Sequence, residues 1–285
     1  MLQFLRIRNR VFEWGKRTYI MGILNVTPDS FSDGGEYYNL DDAIAHALEM
    51  EREGADIIDI GGQSTRPGAT TIPLEEELSR VIPVISSLRQ HTDIPISIDT
   101  TRAIVAEKAI QAGADIINDI SGATYDPQML PTAASLGVPI ILMHIRGTPQ
   151  TMQSLTDYRD LIGEIKDFLL DRISQAIKHG IKKEHIILDP GLGFAKDYSQ
   201  NLEIIRKITE FKQLGFPLLI GPSRKSFIGK ILQQEDPKKR VWGTAAVCSY
   251  AIIQGVDIIR VHDVKPMCEV AKVTDILFRE GETNS

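Results

Sequence analysis

The chain has 285 residues, 42% hydrophobic and 25% charged, with a net charge of −6. This is an ordinary globular composition, sized for one barrel domain or two small ones. The acidic balance, without a long basic run, argues against a nucleic-acid partner, and no apolar stretch reaches the ~18 residues of a membrane span. The two cysteines, Cys248 and Cys268, lack metal-ligand spacing and suit a reducing, cytoplasmic setting.

In chain order, Met1 to Trp14 alternates Arg with apolar residues and predicts a short hairpin, not a signal peptide. Short β-branched runs predict strands at Tyr19 to Leu24, Ile57-Ile58, Ile94 to Ile98, Ile116-Ile117, Val138 to Met143, His185 to Leu188, Pro217 to Ile220 and Ile258-Ile259. Amphipathic segments between them predict helices, among them Leu40 to Glu53, Leu74 to Gln90, Arg102 to Ala112 and Tyr158 to Lys178. One phrase recurs: Gly54-Ala55-Asp56-Ile57-Ile58, Gly113-Ala114-Asp115-Ile116-Ile117 and Gly255-Val256-Asp257-Ile258-Ile259. In each copy Gly ends a helix and the Ile pair opens a buried strand, so one supersecondary unit is being reused. Eight strand–helix units predict an α/β fold, a (βα)8 TIM barrel with a short N-terminal β-hairpin. It is expected as a single domain over residues 1–285, with the barrel proper at about 18–280. An open doubly wound sheet is the alternative topology.

Barrel enzymes build their sites at the C-terminal ends of the strands, and all eight predicted ends are polar. They are Asn25 to Gly35, Asp59 with Gly61 to Gly68, Asp99-Thr100, Asn118-Asp119, His144 to Pro149, Asp189 to Phe194, Gly221 to Ser226, and Arg260 to Asp263. Taken singly, Asp59 or Asp119 could be only a helix cap. Asp99, Asn118 and Asp189 with Lys225 suit a flat heterocycle with a donor edge. Arg260 could stack on such a ring. Arg260 and His262 leave a strand on one face and with Asn25 could form an anion pocket. Ser223-Arg224-Lys225-Ser226 precedes a predicted helix and suits a carboxylate or phosphate. No Walker loop, His-Glu-x-x-His, Gly-x-Ser-x-Gly or cysteine metal cluster is present.

Asn-Val-Thr-Pro-Asp-Ser-Phe-Ser-Asp-Gly-Gly at 25–35 resembles the first signature of the dihydropteroate synthases, and Gly61 to Gly68 the second. Asp189-Pro190-Gly191, Ser223 to Ser226 and Arg260-Val261-His262-Asp263 resemble later motifs of that family, in order. The resemblance implies a pterin-binding barrel enzyme, active as a cytoplasmic homodimer. It would condense 6-hydroxymethyl-7,8-dihydropterin diphosphate with 4-aminobenzoate; the inventory of strong groups for both separating charges, with no compelling base beside the amine, predicts departure of diphosphate before attack. The resemblance implies that Asp99, Asn118, Met143, Asp189, Lys225 and Arg260 hold the pterin, and that Asn25, Arg260 and His262 hold the diphosphate. Asn25 would reach a Mg²⁺ ion. Thr65, Arg66, Pro67, Phe194, Lys225 and Ser226 would enclose the aminobenzoate. The catalytic set so implied is Asp99, Asp189, Lys225, Arg260 and His262, with small-molecule substrates as the only partners besides a second copy. The sequence departs from the family pattern at Gln63, where Glu is common. A catalytically silent pterin-binding paralogue and a methyltetrahydrofolate-type methyltransferase barrel remain the alternatives.

Overall fold

The computed structural model describes residues 4–27 and 40–279. Of the first loop, Pro28 to Gly35 therefore lie outside the described residues. The expected hairpin is present: β1 (Phe4–Ile7) and β2 (Arg10–Glu13) pair antiparallel. Eight parallel strands follow: β3 (Tyr19–Asn25), β4 (Ile57–Gly61), β5 (Ile96–Asp99), β6 (Ile116–Asp119), β7 (Ile140–Met143), β8 (Ile186–Asp189), β9 (Leu219–Ile220) and β10 (Ile258–Val261). Their order is β8-β7-β6-β5-β4-β3-β10-β9, and a parallel bridge between Leu188 and Leu218 joins the two ends. The sheet is thus a closed barrel, as the alternation of elements predicted, and not the open sheet.

Between and after the strands lie α1 (Leu40–Arg52), α2 (Leu74–Leu88), α3 (Ala103–Ala112), α4 (Met129–Leu136) and α5 (Leu161–Lys178). The series continues with α6 (Tyr198–Arg206), α7 (Ile208–Lys212), α8 (Ser226–Leu232), α9 (Val241–Ile253) and α10 (Val264–Phe278). No helix among the described residues is long and apolar enough to cross a membrane. Helix α5 begins three residues later than the expected Tyr158, because Asp160 caps it by accepting from the Gly163 N–H. Three strands also start later than the apolar runs suggest. Pro95, Pro139 and Pro217 have no N–H to give the ladder. Each contributes only its carbonyl, to Ile58, Ile117 and Leu188 at 3.0, 2.9 and 3.0 Å.

The repeated Gly-x-Asp phrase has a shared structural cause. Gly54, Gly113 and Gly255 all have positive φ (107°, 117° and 91°), the left-handed turn that ends a helix. The Asp two residues on joins the neighbouring strand twice. Its N–H donates to a carbonyl (Asp56 to Ile20, Asp115 to Ile96, Asp257 to Leu218; 2.7–2.9 Å), and its carboxylate accepts the N–H of that same residue at 2.8–2.9 Å. Each carboxylate also meets a cation: Arg17 for Asp56, Arg89 for Asp115, Lys212 for Asp257. Three carboxylates, Asp56 and Asp257 buried and Asp115 partly so, thus fasten strand starts at the end of the barrel away from the polar loops.

Side chains alternate across each strand, so inward-facing positions recur every second residue. One inward layer is apolar: Met21, Ile57, Ile116, Ile141, Ile187, Leu219 and Ile258 form a buried cluster with Leu5, Ile7 and Phe12 of the hairpin and with Tyr19. The hairpin therefore closes the bottom of the barrel. Two residues further along the same strands come Asp59, Asn118, Met143, Asp189 and Arg260. The other face of the strands packs on the helices as the main core.

Replacing Asp115 by Ala should lower stability by about 3–5 kcal/mol, because it leaves the buried end of Arg89 unpaired and strands the Ile96 N–H. Urea unfolding with an unchanged m-value is the measurement. A loss below about 1 kcal/mol would show that the carboxylate does not fasten β5.

Candidate active site

The polar layer at the barrel mouth is organised by Arg260 on β10. Its Nε donates to Asp59 at 2.6 Å and its Nη2 to Asp99 at 2.7 Å. Asn118 donates to the same Asp59 oxygen at 3.0 Å. Asp59 is buried and accepts from these two distant side chains, so it acts across the barrel and not as a helix cap; it fixes the guanidinium plane and the Asn118 amide together. Sequence reasoning set it aside because an Asp after a strand is so often a cap. Its position two residues beyond inward-facing Ile57 was the signal that could have placed it. Asp119, on the opposite parity, does serve locally, accepting from the Ser121 N–H and hydroxyl at 2.7 and 2.6 Å.

Asp99 and Asp189 are buried, 8% and 6% exposed. Burial raises the Asp99 pKa well above the carboxylate range, with Arg260 opposing and Asp59 adding to the rise. Burial lifts Asp189 to about 6, against the Gly191 N–H it accepts at 2.7 Å and the nearby Lys225. Lys225 is pulled down to about 8, first by burial and then by Arg260. Its ammonium lies 4.2 Å from the centre of the Phe194 ring, a cation–π contact. Phe194 is buried in a small apolar cluster with Ile120, Met143, Ile145 and Met152. Thus Asp99, Asn118, Asp189, Lys225 and Arg260 share the mouth, with Met143 and Phe194 in an apolar cluster beside them.

His262 accepts from or donates to the Ser223 hydroxyl through Nδ1 at 2.9 Å. Its pKa falls to about 3, through burial first and then through Arg224, Arg260, Lys225 and Arg66. Four cations therefore act on one ring, which marks a local anion site in a chain of negative net charge. Arg224, at φ 60°, holds the turn before α8 by a two-pronged pairing with Asp263 (3.0 and 2.6 Å). Its carbonyl accepts from Arg240 at 2.9 Å. Ser226 opens α8 and is exposed. Asn25 ends β3, half-buried, and no hydrogen-bond partner for its amide is found among the described residues.

Thr65, Arg66 and Pro67 lie on the loop between β4 and α2, Arg66 and Pro67 exposed. That loop is anchored at its base and near its tip. Gly68 N–H donates to the Pro149 carbonyl at 2.9 Å, and Arg80 to the Gly62 carbonyl at 2.8 Å. Arg102 donates to the Ile72 carbonyl at 2.6 Å and pairs with Glu77, which also accepts from Thr100 beside Asp99. Gln63 accepts from the Ile72 N–H at 3.4 Å through its amide oxygen. A Glu would offer the same acceptor, so the departure at this position keeps the loop closure.

A family profile described as pterin-binding enzyme matches residues 21–262. The dihydropteroate synthase of Synechocystis is 62% identical over 275 residues, 96% of this chain and 95% of that one. The crystal structure of a Clostridium difficile dihydropteroate synthase with pteroic acid is 51% identical, covering 94% of this chain and 100% of that one, with a TM-score of 0.89. That of the Yersinia pestis enzyme with a sulfonamide drug is 43% identical over 96% of this chain and 98% of that one, with a TM-score of 0.91.

The raised pKa of Asp189 carries a sign for stability. The folded protein holds that proton more tightly than the unfolded chain does. The contribution is therefore fully present below pH ~4 and is lost as pH rises through about 6, an effect of about 3 kcal/mol. Unfolding free energies at pH 4 and pH 7 should show Asp189→Asn with a flatter decline than the parent over this interval. Parallel declines would mean that Asp189 is not perturbed.

Proposed function

The chain belongs to the pterin-binding enzyme family, and from that premise we infer that it works as a dihydropteroate synthase, a transferase of folate biosynthesis. It joins 6-hydroxymethyl-7,8-dihydropterin diphosphate to 4-aminobenzoate, giving 7,8-dihydropteroate and diphosphate. The observation that carries this reading is the opposition of charge within one mouth. Buried Asp99 and Asp189 call for hydrogen-bond donors, while four cations act on His262. A dihydropterin diphosphate has a donor edge at one end and an anion at the other, and so complements both.

Asp99, Asn118, Asp189 and Lys225 hold the pterin edge in this reading. Arg260, held in orientation by Asp59 and Asp99, lies against the ring, and Met143 lines its pocket. Asn25, Arg260 and His262 take the diphosphate. His262 enters as a neutral ring, so it offers an N–H, and the anion's charge would draw a proton to it. Thr65, Arg66, Pro67, Phe194, Lys225 and Ser226 enclose the aminobenzoate, where sulfonamides compete as its mimics.

Mg²⁺ would neutralise diphosphate charge as that group departs. Asn25 supplies one neutral oxygen, and among the described residues no group of three His, Cys, Asp or Glu side chains could hold a metal. Mg²⁺ commonly takes one or two protein ligands and completes its shell with phosphate oxygens and water. The donor set therefore fits an ion that arrives with the diphosphate.

The C–O bond to diphosphate breaks first, the leaving group keeping the electron pair. Positive charge spreads from the methylene into the dihydropterin, where the carboxylates of Asp99 and Asp189 stabilise it. The amine lone pair then forms the C–N bond, and its surplus proton passes to solvent. An aromatic amine is already neutral near pH 7, so no strong base is required. The loop bearing Arg66 keeps water from the cation.

A homodimer would form through the outer face of α9 and α10, where Tyr250, Ile253, Val273, Ile276, Leu277 and Phe278 are exposed. Ile276 and Leu277 remain 67% and 68% exposed, an apolar face that a second copy would cover.

Incubation with both substrates and Mg²⁺ should yield dihydropteroate, and Asp189→Ala should lower kcat/KM by about 100-fold or more. A folded parent that binds pterin without turnover would instead be a silent paralogue. In rapid-quench experiments Arg66→Ala should raise the yield of hydroxymethyldihydropterin, the water-trapped product. Diphosphate release that depends strictly on amine nucleophilicity would exclude the dissociative order. For the dimer, sedimentation equilibrium should find Ile276→Glu monomeric.

A further inference from the structure

Lys196 is a buried lysine that the reaction does not use, and burial holds its pKa well below the ordinary lysine value. It is 3% exposed, and among the described residues no carboxylate is hydrogen-bonded to it. Its Nζ donates to the Phe194 carbonyl at 2.7 Å and lies 3.0 Å from His144 Nδ1. Burial of a lysine amine is expensive unless its bonds do something that an apolar side chain cannot. Burial, then the charges of Lys196 and Arg146, push the His144 pKa down to about 2. The ring is therefore neutral, and its Nδ1 can accept from the lysine. His144 is itself fixed: its N–H donates to the Asp189 carbonyl at 3.0 Å, and its ring stands edge-on to Phe168 at 4.9 Å.

The segment between these anchors is tightly wound. Gly191, Gly193 and Ala195 all have positive φ (74°, 81° and 52°). Gly191 passes so close to β7 that a Cβ would lie 2.0 Å from the His144 carbonyl oxygen. At Gly193 a Cβ would meet the Lys225 side chain at 3.0 Å. Ala195 adopts a backbone conformation that non-glycine residues avoid and that persists only where the surroundings impose it. Lys196 follows it directly and grips the carbonyl of Phe194, the residue before it. Asn201 binds the same turn from α6, accepting from the Gly193 N–H at 2.6 Å and donating to the Lys196 carbonyl at 3.2 Å.

We propose that Lys196 and His144 are positioning residues for the amine-substrate side of the site: their buried contact holds the 191–195 turn wound, and so sets the Phe194 ring against the Lys225 ammonium. The proposal rests on the aminobenzoate reading of Phe194 given above. Apart from bracing, the pair touches neither substrate in that reading, so its effect should reach one substrate selectively.

The test compares the full-length parent with Lys196→Met, His144→Leu and His144→Asn, the last keeping an acceptor near the Nδ1 position. Lys196→Met and His144→Leu should raise KM for 4-aminobenzoate about tenfold or more, as a displaced contact group does. KM for the pterin diphosphate should stay within about twofold, and His144→Asn should restore most of the loss. A lower Tm with both KM values unchanged would make the pair a structural strut and overturn the proposal, as would equal rises in both. A second measurement does not depend on turnover or on the stability of one variant. With 4-fluorophenylalanine at Phe194, the 19F resonance should move in Lys196→Met and in His144→Leu, and return in His144→Asn. An unmoved resonance overturns the proposal even if the parent makes no dihydropteroate, whereas an inactive parent with a moved resonance counts against the function reading alone.

Discussion

A closed ring of parallel strands allows its inward side chains only every second residue, and this constraint decides where everything else in the molecule goes. Counted from the bottom, the inward positions are apolar for one layer and polar two residues later. Ile57 is followed by Asp59, Ile116 by Asn118, Ile187 by Asp189 and Ile258 by Arg260. The hairpin seals the apolar layer with Leu5, Ile7 and Phe12, so the chemistry has one open end. The three Gly-x-Asp units hold strand starts at the sealed end. Stability and function are thus assigned to opposite ends of the same strands, as is usual in barrel enzymes.

At the open end the central difficulty is to keep ionised groups out of water. Arg260 is balanced by two carboxylates, of which Asp59 is oriented further by Asn118. Such a buried set adds little stability in itself, and loss of one partner is costly. Its value is preorganisation, since the donors and acceptors already stand where a ligand's charge would develop. Asp189 and Lys225, pushed toward neutrality by burial, are held in tension that a complementary ligand relieves. The loops around the mouth answer a different need. Arg224 with Asp263, and Glu77 with Arg102 and Thr100, brace the turns from outside and touch none of the buried carboxylates at the mouth.

Much of this was legible in the chain. The Gly-Ala-Asp-Ile-Ile repeat announced a reused unit, and eight apolar runs with helices between them announced a barrel. Polar residues after every run marked one end as the site. Strand starts were less legible, because Pro95, Pro139 and Pro217 read as part of apolar runs yet lack the N–H that a ladder requires. Asp59 was read as a possible cap, since local sequence cannot tell a carboxylate facing the barrel interior from one turning back to its own backbone. The pairing of Lys196 with His144 was not legible, because it spans 52 residues.

The sequence by itself determined the period of the elements, the turns that need glycine and the inventory of ionisable groups at the strand ends, because these depend on neighbours along the chain. Only the tertiary structure decided which of those groups are partners. Arg260 meets Asp59 across 201 residues and Asp99 across 161, and His262 meets Ser223 across 39. Ring closure brings the second, third and eighth barrel strands to one mouth, and burial there sets the protonation of each group. Both effects are properties of distance in space, on which spacing along the chain is silent.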